Sequence, residues 1–469
     1  MPQDQPEDYT LLVDILTSCF NLERITISME SDPPPRILEA FRTPLQSLRL
    51  LLVYGWSEEA SALLLGICAP LRVISLQSEP GDWVGKVPWS PVPLERVLSH
   101  LSPTLEELEL DEFTVDPARM QPRPAPPITG LVQYPAVHSL TVGCIVGRPL
   151  LDRLHHLFPA LCGTLAFRAL NGSALDLRDY TSTRAANKLA QEDDWARSHR
   201  LAPTWKKLDR LVCDPVTFYL LALRCPIRLV MVRYVSADTR GYVMEALREN
   251  PVPRLKLSLL LKYGLGILDG LLPPELAGTL THLTIVLEYA NDILPASHAG
   301  PNTLARIRWA DLLDRTISIL KPLHRLTHLR LAVQSDVCDG LAHWPAERSE
   351  AFVRAVRADA FDFAGAGSAL VSALPSLQYL FLATDGTVSG QVVLLDDSAE
   401  DVHEEWHASR GWRVADSQSE SMSGADAALT VQDCQRVLVE LEDTVMETIV
   451  WREERFVSEA EAESLRGNR

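Results

Sequence analysis

A short pattern of apolar residues recurs along the chain: an apolar residue, two variable residues, a second apolar residue, one variable residue and a third apolar residue. The last two apolar positions alternate with variable ones, which is typical of a strand with one buried face. Amphipathic runs such as 58–68 and 150–158 separate the copies and are long enough for two or three helical turns. The clearest copies are Leu22, Ile25 and Ile27; Leu45, Leu48 and Leu50; Leu71, Ile74 and Leu76; Leu105, Leu108 and Leu110; Val137, Leu140 and Val142; Cys162, Leu165 and Phe167; Leu208, Leu211 and Cys213; Leu280, Leu283 and Ile285; Leu326, Leu329 and Leu331; and Leu377, Leu380 and Leu382.

One strand and one helix per copy, stacked side by side, predict an α/β leucine-rich-repeat solenoid, a horseshoe with a parallel inner sheet and helices outside. The first five copies begin at residues 22, 45, 71, 105 and 137, so the repeats are irregular. We expect loops to protrude at 79–93, 116–127 and 176–203, which are rich in proline or polar residues. An all-helical repeat is the alternative, but the Val, Ile and Thr content of the copies favours strands. The positions that carry asparagine or cysteine in regular repeats hold Glu30, Val53, Glu79, Phe113 and Ile145.

Three segments follow from this pattern: an N-terminal lead-in helix at 1–21, the irregular solenoid at 22–382, and an acidic C-terminal segment at 383–469. The last segment holds 20 acidic residues against 7 arginines, and the whole chain has a formal net charge of -18. We expect this segment to be partly disordered, with a helix at about 434–451.

Composition narrows the classes of protein. Hydrophobic residues make up 46% of the 469 residues and charged residues 23%, as in ordinary globular proteins. The acidic chain is a poor partner for nucleic acid, and no apolar run is suited to spanning a membrane. The eight cysteines are scattered without a C-x-x-C pair, and the N-terminus carries acidic residues where an export signal is basic. These features predict a cytoplasmic or nuclear protein.

One motif could carry chemistry. His403, Glu404 and His407 match H-E-x-x-H, which on a helix places two imidazoles on one face to hold zinc while the glutamate activates water. No third ligand is evident, so a zinc hydrolase is a remote alternative, and we expect no enzyme activity, cofactor or metal. His155 and His156 are adjacent, and on a helix they would point apart, which favours a helix surface over a metal site.

The variable strand positions project together from a concave sheet, which favours an extended protein partner. The candidates change sign along the chain, from acidic in the fourth copy to basic near the end. The partner-binding candidates are Arg49, Glu107, Glu109, Asp111, His328 and Arg330, with Thr141, His282, Tyr379 and Phe381 on the same face.

The segments 102–113, 374–382 and 405–414 resemble the repeat region of fungal F-box proteins with leucine-rich repeats. That resemblance implies a protein-interaction scaffold that recognises substrates for a cullin-type ubiquitin ligase and docks on the ligase adaptor subunit through an F-box. The first repeat begins near Leu22, which leaves too few residues ahead of it for an F-box. A repeat protein that binds its partner without any ligase is therefore the main alternative, and the partner itself is unknown.

Overall fold

The structure is a computed structural model, and each of its two compact units, 1–233 and 234–469, is mixed α/β. It describes residues 14, 18, 24–29, 47–52, 58–67, 70–78, 88–119, 127–171, 175–192, 204–290, 307–338, 350–393, 399–416 and 436–455. The lead-in helix predicted at 1–21 lies outside the described residues except for Asp14 and Ser18, which are helical.

In the first unit, parallel strands follow one another in chain order. The boundary between the units falls near the end of β8. The strands are β1 (Arg24–Met29), β2 (Ser47–Leu52), β3 (Val73–Ser78), β4 (Glu107–Phe113), β5 (Ser139–Val146), β6 (Thr164–Asn171), β7 (Leu208–Cys213) and β8 (Ile227–Val235). The helices are α1 (Glu58–Gly66), α2 (Pro91–Leu98), α3 (Leu151–Leu157), α4 (Leu177–Ala190) and α5 (Pro215–Leu221), with short 3-10 helices at Ser99–Leu101 and Ile128–Gly130.

In the second unit, four parallel strands are followed by two antiparallel ones. The strands are β9 (Arg254–Leu260), β10 (His282–Ala290), β11 (His328–Cys338), β12 (Tyr379–Val393), β13 (Ala399–Asp416) and β14 (Arg436–Glu440). The helices are α6 (Arg240–Glu249), α7 (Trp309–Leu320), α8 (Glu350–Val356), α9 (Phe363–Ala373) and α10 (Asp443–Arg455), with 3-10 helices at Leu261–Tyr263, Leu265–Leu268 and Pro274–Gly278.

The predicted apolar positions form the core of both units. In the first unit, Leu108 lies between Ile74 of β3 and Leu140 of β5, and all three are at most 1% exposed. In the second, Leu329 and Leu331 of β11 are equally buried. The prediction of buried positions is confirmed for Leu48, Leu108, Leu110, Leu329 and Leu331, whereas the side chain of Leu50 lies outside the described residues.

Backbone hydrogen bonds join neighbouring strands at their starts. The carbonyl oxygen of Glu106 accepts hydrogen bonds from the N–H groups of His138 and Ser139, at 2.9 and 3.3 Å. In the second unit, the carbonyl oxygen of Thr281 accepts from Thr327 and His328 in the same way, at 2.9 and 3.0 Å. Five further carbonyl oxygens each accept from two consecutive N–H groups at the start of the next strand: those of Arg72, His138, Gly163, Pro253 and Thr327.

The segment at 176–203, expected to protrude as a loop, instead contains α4, so that expectation was wrong for 177–190. Asp176 caps this helix: its side chain accepts hydrogen bonds from two backbone N–H groups, and the Asp179 side chain accepts one from the Asp176 N–H. Asn187 is 1% exposed and ties α4 to its neighbours. Its Oδ1 accepts from the Leu151 N–H at 2.8 Å, and its Nδ2 donates to the carbonyl oxygens of Pro149 and Leu220 at 2.9 and 2.8 Å.

One other local expectation was wrong, and another is confirmed only in part. His155 and His156 are buried rather than on a helix surface: the rings of His155 and Trp205 pack edge to face, and His156 Nε2 lies 3.0 Å from the Leu131 carbonyl oxygen. The helix expected at about 434–451 is preceded by strand β14, and the helix itself runs from Asp443 to Arg455. The segment boundary at residue 382 stays a prediction. Strand β12 runs across that position and ends at Val393.

Candidate interaction face

The candidate site is the sheet face opposite the buried leucines, which we call the strand face of each unit. Of the predicted partner-binding residues, Arg49, Glu107, Glu109 and Asp111 belong to the first unit, and His328 and Arg330 to the second. The backbone of Arg49 pairs with Ser75, but its side chain lies outside the described residues.

The strand face of the first unit is acidic at β4. Glu107 is exposed, while Glu109 and Asp111 are half-buried on the same side of the strand. Glu109 is held on both oxygens: Ser75 Oγ donates to Oε2 at 2.8 Å, and Arg168 Nη2 donates to Oε1 at 2.9 Å. These contacts fix the Glu109 carboxylate in place and leave Glu107 as the more accessible charge.

The ion pair between Arg168 and Glu109 crosses a whole strand, because Arg168 lies on β6 and Glu109 on β4. The residue of β5 between Asp111 and Arg168 is Gly143. A Cβ atom at Gly143 would lie 2.6 Å from the Asp111 carbonyl oxygen, closer than real contacts allow. The glycine therefore lets the backbone of β4 approach β5 closely at this point.

On the second unit, the strand face begins with a row of stacked rings. His282, His328 and Tyr379 start three adjacent parallel strands in the same register. The imidazoles are 4.0 Å apart between centroids, and His328 lies 4.8 Å from the Tyr379 ring, with both pairs close to parallel. Each histidine Nδ1 also contacts the hydroxyl of the preceding threonine, Thr281 or Thr327, at 2.8 and 2.9 Å.

The two stacked histidines are neutral at physiological pH. Burial lowers the pKa of His282 to about 3, with further contributions from His328 and the positive charge of Arg254. Burial, again with Arg254, lowers the pKa of His328 to about 4. The row therefore offers aromatic edges and uncharged polar nitrogens. The positive charge at this end of the strand face comes from the neighbouring basic side chains.

The C-terminal helix packs on part of this strand face. Phe381 lies in the next register row, opposite Gly411 of β13, and is only 5% exposed. Met446 of α10 fills the space above Gly411, where an added Cβ would meet it at 2.7 Å, and Met446 is itself 5% exposed. Arg330 belongs to the same row, and burial lowers the pKa of its guanidinium, although Asp385 acts in the opposite direction. The predicted site residue Arg330 is thus more buried than a solvent-facing position would be.

No protein-family model matches this chain. A search of curated proteins likewise found no match. Assignment of a function therefore rests on the residues themselves.

The H-E-x-x-H segment lies in strand β13 and not on a helix, so the interpretation of a helical zinc motif was wrong. Successive strand residues face opposite sides, and residues four apart are separated by about 13 Å. Glu404 forms an ion pair with Arg357 at 2.8 Å. Backbone positions at that spacing do not give the two ligands on one helix face that the zinc motif requires.

Within the described part of the chain, no group of three or more His, Cys, Asp and Glu side chains is placed to hold a metal ion. Over the same residues, no helix is long and apolar enough to cross a bilayer. The repeat pattern placed His282 and His328 on the strand face, but it did not predict that their rings stack. A signal was present in the sequence: the phrase Thr-His-Leu occurs at 281–283 and again at 327–329, at the same point of two repeats.

Proposed function

We propose that this protein is a protein–protein interaction scaffold, folded as an irregular leucine-rich-repeat solenoid, whose partner contacts the strand faces. The parallel strands in chain order, the helices that alternate with them and the doubly accepting carbonyls at the strand starts support the solenoid. The partner is proposed to be a protein.

The observation that carries the proposal is the charge polarity of the strand face in the second unit. Its first two register rows hold basic side chains and no acidic one: Arg254, Lys256, Arg330 and Arg413. Its fourth and fifth rows hold carboxylates: Glu288 and Asp385 in the fourth, and Asp336 and Glu405 in the fifth.

The two charged ends lie far apart. Eight residues of β11 separate His328 from Asp336, a distance of about 26 Å along a strand. A small substrate cannot contact both ends, whereas a protein segment with an acidic and a basic end can. Nucleic acid fits poorly, because the ring faces of His282, His328 and Tyr379 are already stacked on one another and the carboxylate end would repel phosphates.

In its more specific form, the scaffold is a substrate-recognition component of a cullin-type ubiquitin ligase, as the F-box resemblance implies. In the alternative form, it binds its partner without any ligase. Co-purification of the full chain with the ligase adaptor subunit separates the two forms. The proposed partner face is the same in both.

The test uses two matched charge reversals once a partner has been isolated by cross-linking in cells. Lys256→Glu changes the basic end of the strand face, and Lys321→Glu changes an exposed lysine at the end of α7, among the helices. We expect Lys256→Glu to weaken binding at least about tenfold and to reduce its salt dependence, because it removes a charge that attracts the partner. Lys321→Glu should bind like the unmodified protein. Equal binding by both variants, or a loss confined to Lys321→Glu, would place the partner elsewhere.

A further inference from the structure

A cavity of about 160 Å³ lies in the first unit, between the ends of helices and the start of a strand. Four segments line it: His155 of α3, Gln191 at the end of α4, residues 204–206 ahead of β7, and residues 223–225 after α5. A cavity of roughly 150 Å³ in another protein takes up one molecule of benzene. The cavity is therefore large enough for a six-membered ring.

Hydrogen bonds to backbone groups hold the walls of this cavity in place. Gln191 Nε2 donates to the Ala222 carbonyl oxygen at 2.9 Å, and its Oε1 accepts from the Arg224 N–H at 2.7 Å. On the opposite wall, Trp205 Nε1 donates to the Phe158 carbonyl oxygen at 2.9 Å. Because these contacts exist before any ligand arrives, little ordering cost is left for binding.

His155 presents an unsatisfied polar group to the cavity. Its side chain is only 3% exposed, and its ring packs edge to face with Trp205 at 4.5 Å between centroids. Neither ring nitrogen forms a hydrogen bond to a residue that the structure describes. Burial lowers the pKa of His155 to about 4, so at physiological pH one nitrogen donates and the other accepts. A ligand hydroxyl can bond either nitrogen, because it both donates and accepts.

The side chains at the mouth of the cavity are basic. Lys206 is exposed, and its ammonium has no ion pair among the described residues. Arg224 is 55% exposed and lies 3.9 Å from Glu192, which is a loose ion pair in solvent. The buried side chains of Trp205 and Leu223 supply apolar walls between this mouth and His155. The lining thus changes from basic to apolar to a neutral polar group.

We propose that this cavity binds a small hydroxylated carboxylic acid. The carboxylate pairs with Lys206 and Arg224 at the mouth, the hydrocarbon part lies against Trp205 and Leu223, and the hydroxyl bonds to His155. The site is independent of the proposed partner site, because it uses no strand-face residue. The dissociation constant is on the order of 0.1 to 1 mM, in the range that a ligand of about ten non-hydrogen atoms reaches.

The first test is isothermal titration of the full chain with four probes at low salt. The probe with all three features is 4-hydroxybenzoate, whereas benzoate lacks the hydroxyl, 4-hydroxybenzamide lacks the charge, and inorganic phosphate lacks the ring. We expect 4-hydroxybenzoate to bind most tightly, benzoate about tenfold more weakly, and the amide at least fivefold more weakly. No binding of 4-hydroxybenzoate at 10 mM, or equal binding of benzoate or phosphate, overturns the proposal.

A matched pair of lysine variants tests the mouth of the cavity without disturbing the core. Lys206→Gln removes a charge that lines the cavity, and Lys207→Gln removes an equally exposed charge beside it that does not. We expect Lys206→Gln to weaken binding of 4-hydroxybenzoate about fivefold and Lys207→Gln to leave it unchanged. Equal affinities for the two variants would contradict the assignment of the mouth.

The inner end of the cavity is tested by NMR of protein labelled with ¹³C in the histidine rings. The resonance that is missing from His155→Phe identifies His155, and it should shift as 4-hydroxybenzoate is added. In His155→Phe, the preference for 4-hydroxybenzoate over benzoate should disappear. A His155 resonance that stays in place at saturation, or a preference that survives the substitution, shows that the ligand binds elsewhere.

Discussion

Replacement of Asn187 by alanine should destabilise the region where α3, α4 and α5 meet. The change removes one acceptor and two donors, and leaves the Leu151 N–H and the carbonyl oxygens of Pro149 and Leu220 without their partners. A buried polar group that loses its partner costs about 1 to 3 kcal/mol. Three such groups therefore predict a loss of about 3 kcal/mol or more, even if one water enters and restores part of the bonding.

The assay is hydrogen exchange of α3, measured by mass spectrometry on peptides that cover Leu151–Leu157. Exchange reports local opening, which suits a chain with two units that need not unfold together. A loss of about 3 kcal/mol corresponds to amide exchange that is roughly 100-fold faster. Ser182→Ala is the matched control on the same helix, because its exposed hydroxyl donates only to the Asp179 carbonyl oxygen within α4.

Asn187→Asp separates hydrogen bonding from side-chain volume. It keeps an acceptor for the Leu151 N–H but points a second oxygen at the carbonyls of Pro149 and Leu220. At neutral pH it should therefore be at least as damaging as Asn187→Ala, although it is nearly isosteric. If either variant exchanges no faster in α3 than Ser182→Ala does, the bonds to Asn187 do not hold the three helices together and the reasoning is refuted.

Three further predictions concern the first unit. Leu108→Ala should lower the free energy of unfolding by about 2 to 5 kcal/mol in urea titrations, because Leu108 is fully buried between two strands; a change under 1 kcal/mol would contradict this. Burial lowers the pKa of His155 to about 4, below its unfolded value, so the unfolded state binds a proton first and stability falls as the pH drops from about 6.5 toward 4. Urea titrations at pH 7 and pH 5 should show that this group costs the unmodified protein about 2 kcal/mol of stability at pH 5, a loss that His155→Phe does not show. Equal losses of stability in both proteins would refute the assignment. Gly143→Ala should lower the melting temperature measured by calorimetry, because its Cβ meets the Asp111 carbonyl oxygen at 2.6 Å, and an unchanged melting temperature would show that β4 and β5 adjust freely.

The strands could be predicted because their pattern reports burial directly. A residue such as Leu329 is apolar since it faces the core, and the period of two along the strand reveals which neighbours face the other way. The same logic failed for α4, whose buried positions include Thr183, Arg184 and Asn187. Asn187 can fill the core because its hydrogen bonds are satisfied, and hydrophobic periodicity carries no trace of such bonds. The capping pair Asp176 and Asp179 was the available sign of a helix start.

The candidate site could be predicted only in part. The sequence shows which side of a strand a residue such as His328 occupies, but not which residues of other strands lie beside it. That depends on register, and register depends on loop geometry between the strands. The contact between Arg168 and Glu109 across β5, and the packing of Met446 over Gly411, each join residues from distant parts of the sequence. The H-E-x-x-H segment gave the opposite error, because there the sequence suggested a site that the fold does not form. A zinc motif of this spacing has meaning only on a helix, and here it lies on a strand.

The side chains at the strand starts vary because backbone hydrogen bonds join neighbouring strands there. In this protein the starts of neighbouring strands are joined by backbone N–H groups that donate to a carbonyl oxygen, as Thr327 and His328 do to Thr281. A backbone bond demands no particular side chain, so the linking positions can hold Glu106, His138 or Thr281 without loss of the connection. The side chains at the strand starts are then free to vary. Rows such as His282, His328 and Tyr379 can therefore be shaped by what the strand face contacts rather than by what the fold requires.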